Sequence, residues 1–399
     1  MEPQDNLTAA LEQASLSRAG SGLRGRLQQA LEDRLRSLGS ANSFSLVWPD
    51  GDVQQFGSGR PTFQVRFRNA KGVRAAATLD ELRFCEAYME GDIDIDGSMY
   101  DLFHLRGVMR DDRPLKRFVA FLYRYVLNNS RLRAKWIGHH YDEPVELFGS
   151  FLDPEHLCYS HGFFESPDEP LETAMTRKLE YAIAATGLKP GMRVLDIGGG
   201  WGSFLRFAGK RGIHVTSLTI SPRQHEYMTK AIAAESLPCE VLMQDVYTFR
   251  VPDDRRFDAI VNLGVTEHLT DYATLTAQYR RLLKPGGKIY FDSCASEQMY
   301  DVGTFIAEHI FQGTTSYLCI SKFLTEAAKQ HFEIELINND RRNYELTTQK
   351  WGERLDSNRE YVIQHVGDWT YRKFRLLIWS CAAMFDLNVV TAYHVVLRG

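Results

Sequence analysis

The chain has 399 residues, 44 % hydrophobic and 25 % charged, close to folded globular averages, which excludes the disordered and fibrous classes. At ~100–200 residues per domain, this length predicts two or three domains. With 47 Lys and Arg against 51 Asp and Glu the formal net charge is −4, which gives no overall electrostatic case for nucleic acid as partner. The six cysteines, Cys85, Cys158, Cys239, Cys294, Cys319 and Cys381, form no CxxC pair and no Cys/His metal spacing, so a reduced cytoplasmic chain without a metal site is expected. No basic-then-apolar leader opens the sequence, and no stretch reaches the ~18 apolar residues of a membrane span.

Leucines from Leu7 to Leu38 recur at a mostly helical spacing, interrupted near Gly20 and Gly22, and predict one or two surface helices. Ser45–Val47, the turn Trp48-Pro-Asp-Gly51, Val53–Phe56 and Phe63–Phe67 predict short strands joined by tight turns. From Leu79 to about Trp136 the pattern is helical again, and the first module is expected to end near His139. That gives a mixed, mainly helical domain of residues 1–139 and a second domain of 140–399. Within the first, Asp92-Ile-Asp-Ile-Asp-Gly97 matches the opening of a calcium loop, but position 12 is Phe103 where a bidentate Glu is needed. The stretch therefore predicts an acidic turn. Between Arg113 and Lys135 the cations Lys116, Arg117, Arg124, Arg131 and Arg133 alternate with Phe118, Phe121, Leu122 and Tyr125, without an acid. Such a basic amphipathic helix can lie on an anionic membrane surface; it equally fits a core-facing helix with a solvated cationic side.

From Thr173 onward helical and strand patterns alternate: strands at Arg193–Ile197, His214–Ile220, Glu240–Gln244, Phe257–Asn262 and Lys288–Phe291, with helices at Ser203–Lys210 and Pro222–Ala234. This predicts an α/β fold, a doubly wound, mostly parallel sheet binding its ligand beyond the carboxyl ends of the strands. The first strand runs into Gly198-Gly-Gly200-Trp-Gly202-Ser203, where missing side chains allow close approach of a ligand and the next helix presents free backbone donors. A dinucleotide site would need GxGxxG and an acid closing the second strand; that strand instead ends Leu218-Thr-Ile-Ser221. Asp196, Gly198, Gly200, Gly202 and the Gln244-Asp245 pair, all at strand ends, resemble the AdoMet-dependent methyltransferase pattern.

Further stretches together resemble one family of these enzymes, the cyclopropane-fatty-acyl-phospholipid synthases and their mycolic-acid relatives. They are His140-Tyr-Asp142, Cys158-Tyr-Ser160, Lys189 to Gly198, Leu218 to Ser221 with Gln224, Thr266-Glu267-His268, Leu283 to Gly286, Ile310-Phe311 and Tyr344, and the likeness covers about residues 68–399. The resemblance implies a Rossmann-like methyltransferase domain beside a small amino-terminal domain, and unsaturated acyl chains of phospholipids as substrate; with the basic stretch at Arg113–Lys135, peripheral association with the membrane is expected. Tyr159, Ser160, Gly198, Gly200, Thr219, Gln224 and Asp245 would contact S-adenosylmethionine (AdoMet). It also implies a homodimer, and leaves open whether a partner reductase finishes the product.

An alkene is a weak nucleophile, so the sulfonium methyl must be held in line with it and water excluded while a carbocation develops. Phe163, Phe164, Tyr290, Phe305 and Phe311 are candidates for the aromatic walls that stabilise such a cation. In the resembled family a bicarbonate ion, held by Cys, Glu, His and Tyr, takes the proton. Glu267 and Tyr344 match, but the Cys position is His161 and the His position is Asp292. A carboxylate at 292 beside Glu267 would repel a bound anion and could itself accept the proton, with His161 as neighbouring donor or alternative base. The departures weigh against bicarbonate and leave the product open between a cyclopropane and a methylene or methyl branch. Two rival readings are methyl transfer to oxygen or nitrogen of a small molecule, and a non-catalytic lipid-binding protein that retains AdoMet.

Overall fold

The computed structural model describes residues 22–37, 43–109, 143–299, 302–311 and 316–399. The basic stretch from Arg113 to Lys135, the His140-Tyr-Asp142 run and the boundary expected near His139 lie outside them. The chain forms two compact units, one of Met1–Pro114 with Asp368–Ala383, the other of Leu115–Gly367 with Met384–Gly399.

In the first unit, residues 22–37 are helical and bury Leu27 and Leu31. Four strands follow, β1 (Phe44–Val47), β2 (Val53–Phe56), β3 (Phe63–Phe67) and β4 (Ile93–Gly97), in the order β2-β1-β3-β4. Phe44 stacks on Phe56 and on Phe63, each at 5.1 Å between ring centroids. The acidic turn expected at Asp92–Gly97 is instead β4, antiparallel to β3. Its alternation is the reason: Ile93 and Ile95 go into the core, while Asp94 meets the guanidinium groups of Arg68 and Arg372. Arg372, on the carboxyl-terminal helix Asp368–Asp386, also donates to the carbonyls of Tyr88 and Ile93 at 3.1 Å. A segment distant in sequence thus completes this unit.

The second unit is built on seven strands, β5 (Arg193–Ile197), β6 (His214–Thr219), β7 (Cys239–Met243), β8 (Phe257–Leu263), β9 (Leu283–Ala295), β10 (Glu333–Asn339) and β11 (Thr391–Arg398). Their order is β10-β11-β9-β8-β5-β6-β7. β5 to β9 are parallel, and β11 and β10 close one edge antiparallel. Helices Leu171–Thr186, Ser203–Gly209 and Pro222–Glu235 cover one face through Leu179, Ala182, Phe204 and Met228. Helices Tyr272–Leu282 and Ile320–Lys329 cover the other through Leu275, Tyr279 and Phe323. Each such large apolar side chain contributes ~1.5–3 kcal/mol by leaving water. Successive strands lead away from β5 in both directions, so the carboxyl ends of β5 and β8 diverge into a crevice at the switch in strand order.

Candidate active site

The glycine loop occupies that crevice. The amides of Gly198 and Gly199 donate to the Leu218 carbonyl at 2.9 and 3.1 Å, pinning the loop to β6. Gly200 has φ +56°, in the left-handed region, and a Cβ there would meet only the Gly198 carbonyl oxygen, at 4.0 Å. The loop borders a cleft of about 1100 Å³ whose walls include Tyr159, Ser160, Asp196, Gly198, Gly200, Thr219, Gln224 and Asp245. Gly202 stands aside from those walls, as the left-handed residue that starts helix Ser203–Gly209. Asp196 is buried and its Oδ2 accepts from Ser217 Oγ at 2.8 Å; burial pushes its carboxyl up to about 7. Thr219 donates to Gln224 Oε1 at 2.9 Å, and Asp245 Oδ1 accepts from the Tyr247 amide at 2.9 Å. Side-chain-free backbone, apolar walls and a few polar groups at the ends suit an adenosyl group carrying an amino-acid tail.

A second, drier site adjoins the cleft along the chain, because Ser160 leads into His161, and Val265 and His268 flank Glu267. Glu267 lies in the short helical turn Thr266–His268 after β8, and its Oε1 accepts from the Cys294 amide at 2.6 Å. Its Oε2 is buried without a hydrogen-bond partner among the described residues. Burial, with the charge of Asp292 adding to it, pushes this carboxyl up to about 7. Tyr344, in the first turn of helix Arg341–Ser357, has its phenol raised well above the usual range by burial and by Cys294 and Glu267. It remains a hydroxyl donor. Its ring stacks on Phe385 at 4.6 Å and lies 4.8 Å from the His161 ring.

Asp292 sits near the carboxyl end of β9, fully buried, and Lys178 Nζ lies 3.5 Å from its Oδ2. Neither Asp292 oxygen has a hydrogen-bond partner among the described residues, so the pairing is one of charge. Burial would pull the Lys178 ammonium down, but the Asp292 charge and then Cys158 outweigh it and hold it above its usual value. Lys178 also donates to Cys158 Sγ at 3.1 Å and to Ser160 Oγ. A third group, His161–Asp340–His394, is bridged by one carboxylate: Asp340 Oδ2 is 3.1 Å from His161 Nε2 and 2.6 Å from His394 Nδ1. Burial raises the Asp340 carboxyl, yet the hydrogen bonds of the two imidazoles outweigh that and hold it well below the carboxylate range.

The expected residues Glu267, Asp292 and Tyr344 are close enough to perturb one another, and His161 packs on the Tyr344 ring. Lys178, Asp340 and His394 are new. Lys178 carries a signal, since it falls on the same helical stripe as Leu171, Met175 and Ala182, where a cation is out of place. Of the aromatic candidates, Phe163 packs against His161 and His394 at 5.7 and 5.1 Å, and Phe311 against His268 at 4.9 Å. Tyr290 lies 5.9 Å from His394, Phe305 lies 5.8 Å from His309, and Phe164 faces Lys350.

A Rossmann-like sheet with a glycine loop and an acidic residue closing its third strand, as here, belongs to the AdoMet-dependent methyltransferases. Residues 128–395 match the mycolic acid cyclopropane synthetase family model, and residues 32–109 match a domain of unknown function. The chain belongs to the mycolic acid cyclopropane synthetase family. It is 28 % identical over 350 residues to the cyclopropane-fatty-acyl-phospholipid synthase of Escherichia coli (strain K12), covering 85 % of this chain and 88 % of that one. The structure of the cyclopropane synthase MmaA2 from Mycobacterium tuberculosis aligns with a TM-score of 0.62 at 27 % identity, over 67 % of this chain and 98 % of that one. Coclaurine N-methyltransferase, bound to N-methylheliamine and SAH, shares the fold at 19 % identity and a TM-score of 0.62, over 79 % of this chain and 98 % of that one.

Proposed function

We propose that this protein alkylates the double bond of unsaturated acyl chains in membrane phospholipids, giving a cyclopropane or a methylene- or methyl-branched chain. The observation that carries the phospholipid assignment is the span of the likeness. The Escherichia coli phospholipid synthase matches 85 % of the chain, whereas the mycobacterial mycolic-acid enzyme MmaA2 matches 63 %. No helix among the described residues is long and apolar enough to cross a membrane. The protein is proposed to meet its substrate at the membrane surface, as a peripheral component. An anionic surface is the proposed docking face, and the homodimer and a partner reductase belong to the same proposal.

Tyr159, Ser160, Thr219, Gln224 and Asp245, with the backbone of Gly198 and Gly200, would hold AdoMet, which would supply an electrophilic methyl. Asp196 and Gly202 shape the loop that carries those glycines. The chain's own groups do the rest. Buried walls exclude water, which would otherwise capture a carbocation. The Glu267 and Asp292 carboxylates and the Tyr344 ring face positive charge developing on the acyl chain, where a dry site makes such interactions strongest. Deprotonation falls to a protein group of the same cage, His161 or Asp292, in place of bicarbonate.

Incubation with AdoMet and vesicles of dioleoyl or of saturated phosphatidylglycerol tests the reading. S-adenosylhomocysteine release only with the unsaturated lipid is expected, together with an acyl mass gain of one methylene group. Release with both lipids alike, or without any lipid, would exclude an alkene acceptor.

A further inference from the structure

Asp340 closes β10, is 1 % exposed, and is held at both oxygens: Oδ1 accepts from Asn338 Nδ2 at 2.9 Å, and Oδ2 faces both imidazoles. An ionised carboxylate can only accept, so each imidazole nitrogen facing it carries a hydrogen. That fixes the tautomer of neutral His161 as Nε2–H and leaves its lone pair on Nδ1. His161 is fully buried, and Nδ1 has no hydrogen-bond partner among the described residues. The bare nitrogen belongs to a ring seated on Tyr344, inside the cage that also holds Glu267. Asp292, the competing acceptor, faces the Lys178 ammonium at 3.5 Å, and protonating it would leave that buried cation without its counter-charge.

We propose that Asp340 is a positioning residue that makes His161 Nδ1 the proton acceptor of the alkylation, with His394 as the second tether of the same carboxylate. This assignment rests on the function proposed above. The alkene π pair bonds to the methyl carbon as the carbon–sulfur pair returns to sulfur, leaving a carbocation on the acyl chain. His161 Nδ1 then takes a proton; the released C–H pair closes the ring, or forms a methylene double bond after a hydride shift. The positive charge ends on an imidazolium whose Nε2–H faces Asp340, so charge created by the reaction is met by a carboxylate already in place.

Long-range ¹H–¹⁵N spectra of the full chain labelled at histidine nitrogen, assigned with His161→Gln, read the tautomer directly. The wild type is expected to show His161 protonated at Nε2 alone, and Asp340→Asn to lose that signature while binding AdoMet with unchanged affinity. With AdoMet and dioleoyl phosphatidylglycerol vesicles, Asp340→Asn should lower kcat by ~10²–10⁴-fold with KM retained, as expected when a base loses its orienting carboxylate. Asp340→Glu, which keeps the charge, should recover part of the rate. A His161 protonated at Nδ1, or an Asp340→Asn enzyme turning over normally, would overturn the assignment. A wild type that alkylates no lipid would overturn the proposed function instead, and the tautomer spectra would still decide whether Asp340 orients His161.

Discussion

The cofactor cleft and the acceptor cage meet at the carboxyl end of β8, the cleft extending over β5 to β7 and the cage over β9 to β11, and they are built in different ways. The cleft is centred on one loop of backbone, folded onto β6 by two amide donors, with side chains from the neighbouring strand ends around it. The cage is assembled from the turn after β8, β9, β10, β11 and two helices, and several of its polar atoms are buried without a hydrogen-bond partner among the described residues. A site made of backbone depends on the absence of side chains. One made of buried charge depends on each partner being present.

The largest effect should come from filling the backbone site. Gly200→Val places a branched side chain on a left-handed residue of the loop that lines the cleft. AdoMet binding by titration calorimetry should vanish, and turnover with it, while circular dichroism stays that of a folded protein. Retained affinity would remove this loop from the cofactor site. Glu267→Gln should act in the opposite manner, lowering the rate by ~10²–10³-fold with AdoMet affinity unchanged, because it removes the carboxyl that can ionise towards a developing cation in the cage and nothing from the cleft.

The same variant has a pH signature. Burial raises Glu267 from 4.5 to about 7, so the neutral form is the one the fold prefers. The stability it contributes is complete below the unfolded value and is lost as pH rises through the folded one. Over that window, from 4.5 to about 7, the wild type should therefore lose stability relative to Glu267→Gln, by on the order of 3 kcal/mol in urea unfolding. Equal pH dependence in the two proteins would show that this carboxyl is solvated.

Lys178→Met probes a cage partner that is remote from the cleft loop in sequence. It strands the Asp292 carboxylate in the interior, which should destabilise the protein by about 3–5 kcal/mol, whereas Lys178→Met with Asp292→Leu should recover most of the loss. A single variant as stable as the wild type would mean that the pair contributes no net energy.

The contrast between the two sites also explains what could be read from the sequence. Gly198, Gly200, Thr219 and Asp245 stand out because each occupies a strand end, a local position that strand periodicity reveals. His161 and Asp292 stand out only as departures from a family pattern. Asp340 is 179 residues from His161 and 54 from His394, and no periodicity joins them. In the first unit, β4 was hidden by its acids, since Asp92, Asp94 and Asp96 mask the Ile93/Ile95 alternation. The helix segment Asp368–Ala383 could not be assigned there from sequence, because the contacts that hold it, Arg372 to Asp94 among them, span the length of the chain.

The smallest expected effect concerns bicarbonate, and there the contrast is sharpest. An anion-binding cage needs surplus positive charge or donors. Here Lys178 is already committed to Asp292, and Glu267 is pushed up to about 7, partly by that same Asp292. A site that resists holding both of its own carboxylates charged would have to accept a further negative ion without a free cation beside it among the described residues, at a cost that grows as water is excluded. Turnover in buffer stripped of carbon dioxide should therefore remain nearly that in bicarbonate-supplemented buffer, with AdoMet and unsaturated vesicles held constant. A rate that collapses on stripping and returns with added bicarbonate would place the ion in the cage. The base would then be the ion, with His161 and Asp292 as its walls.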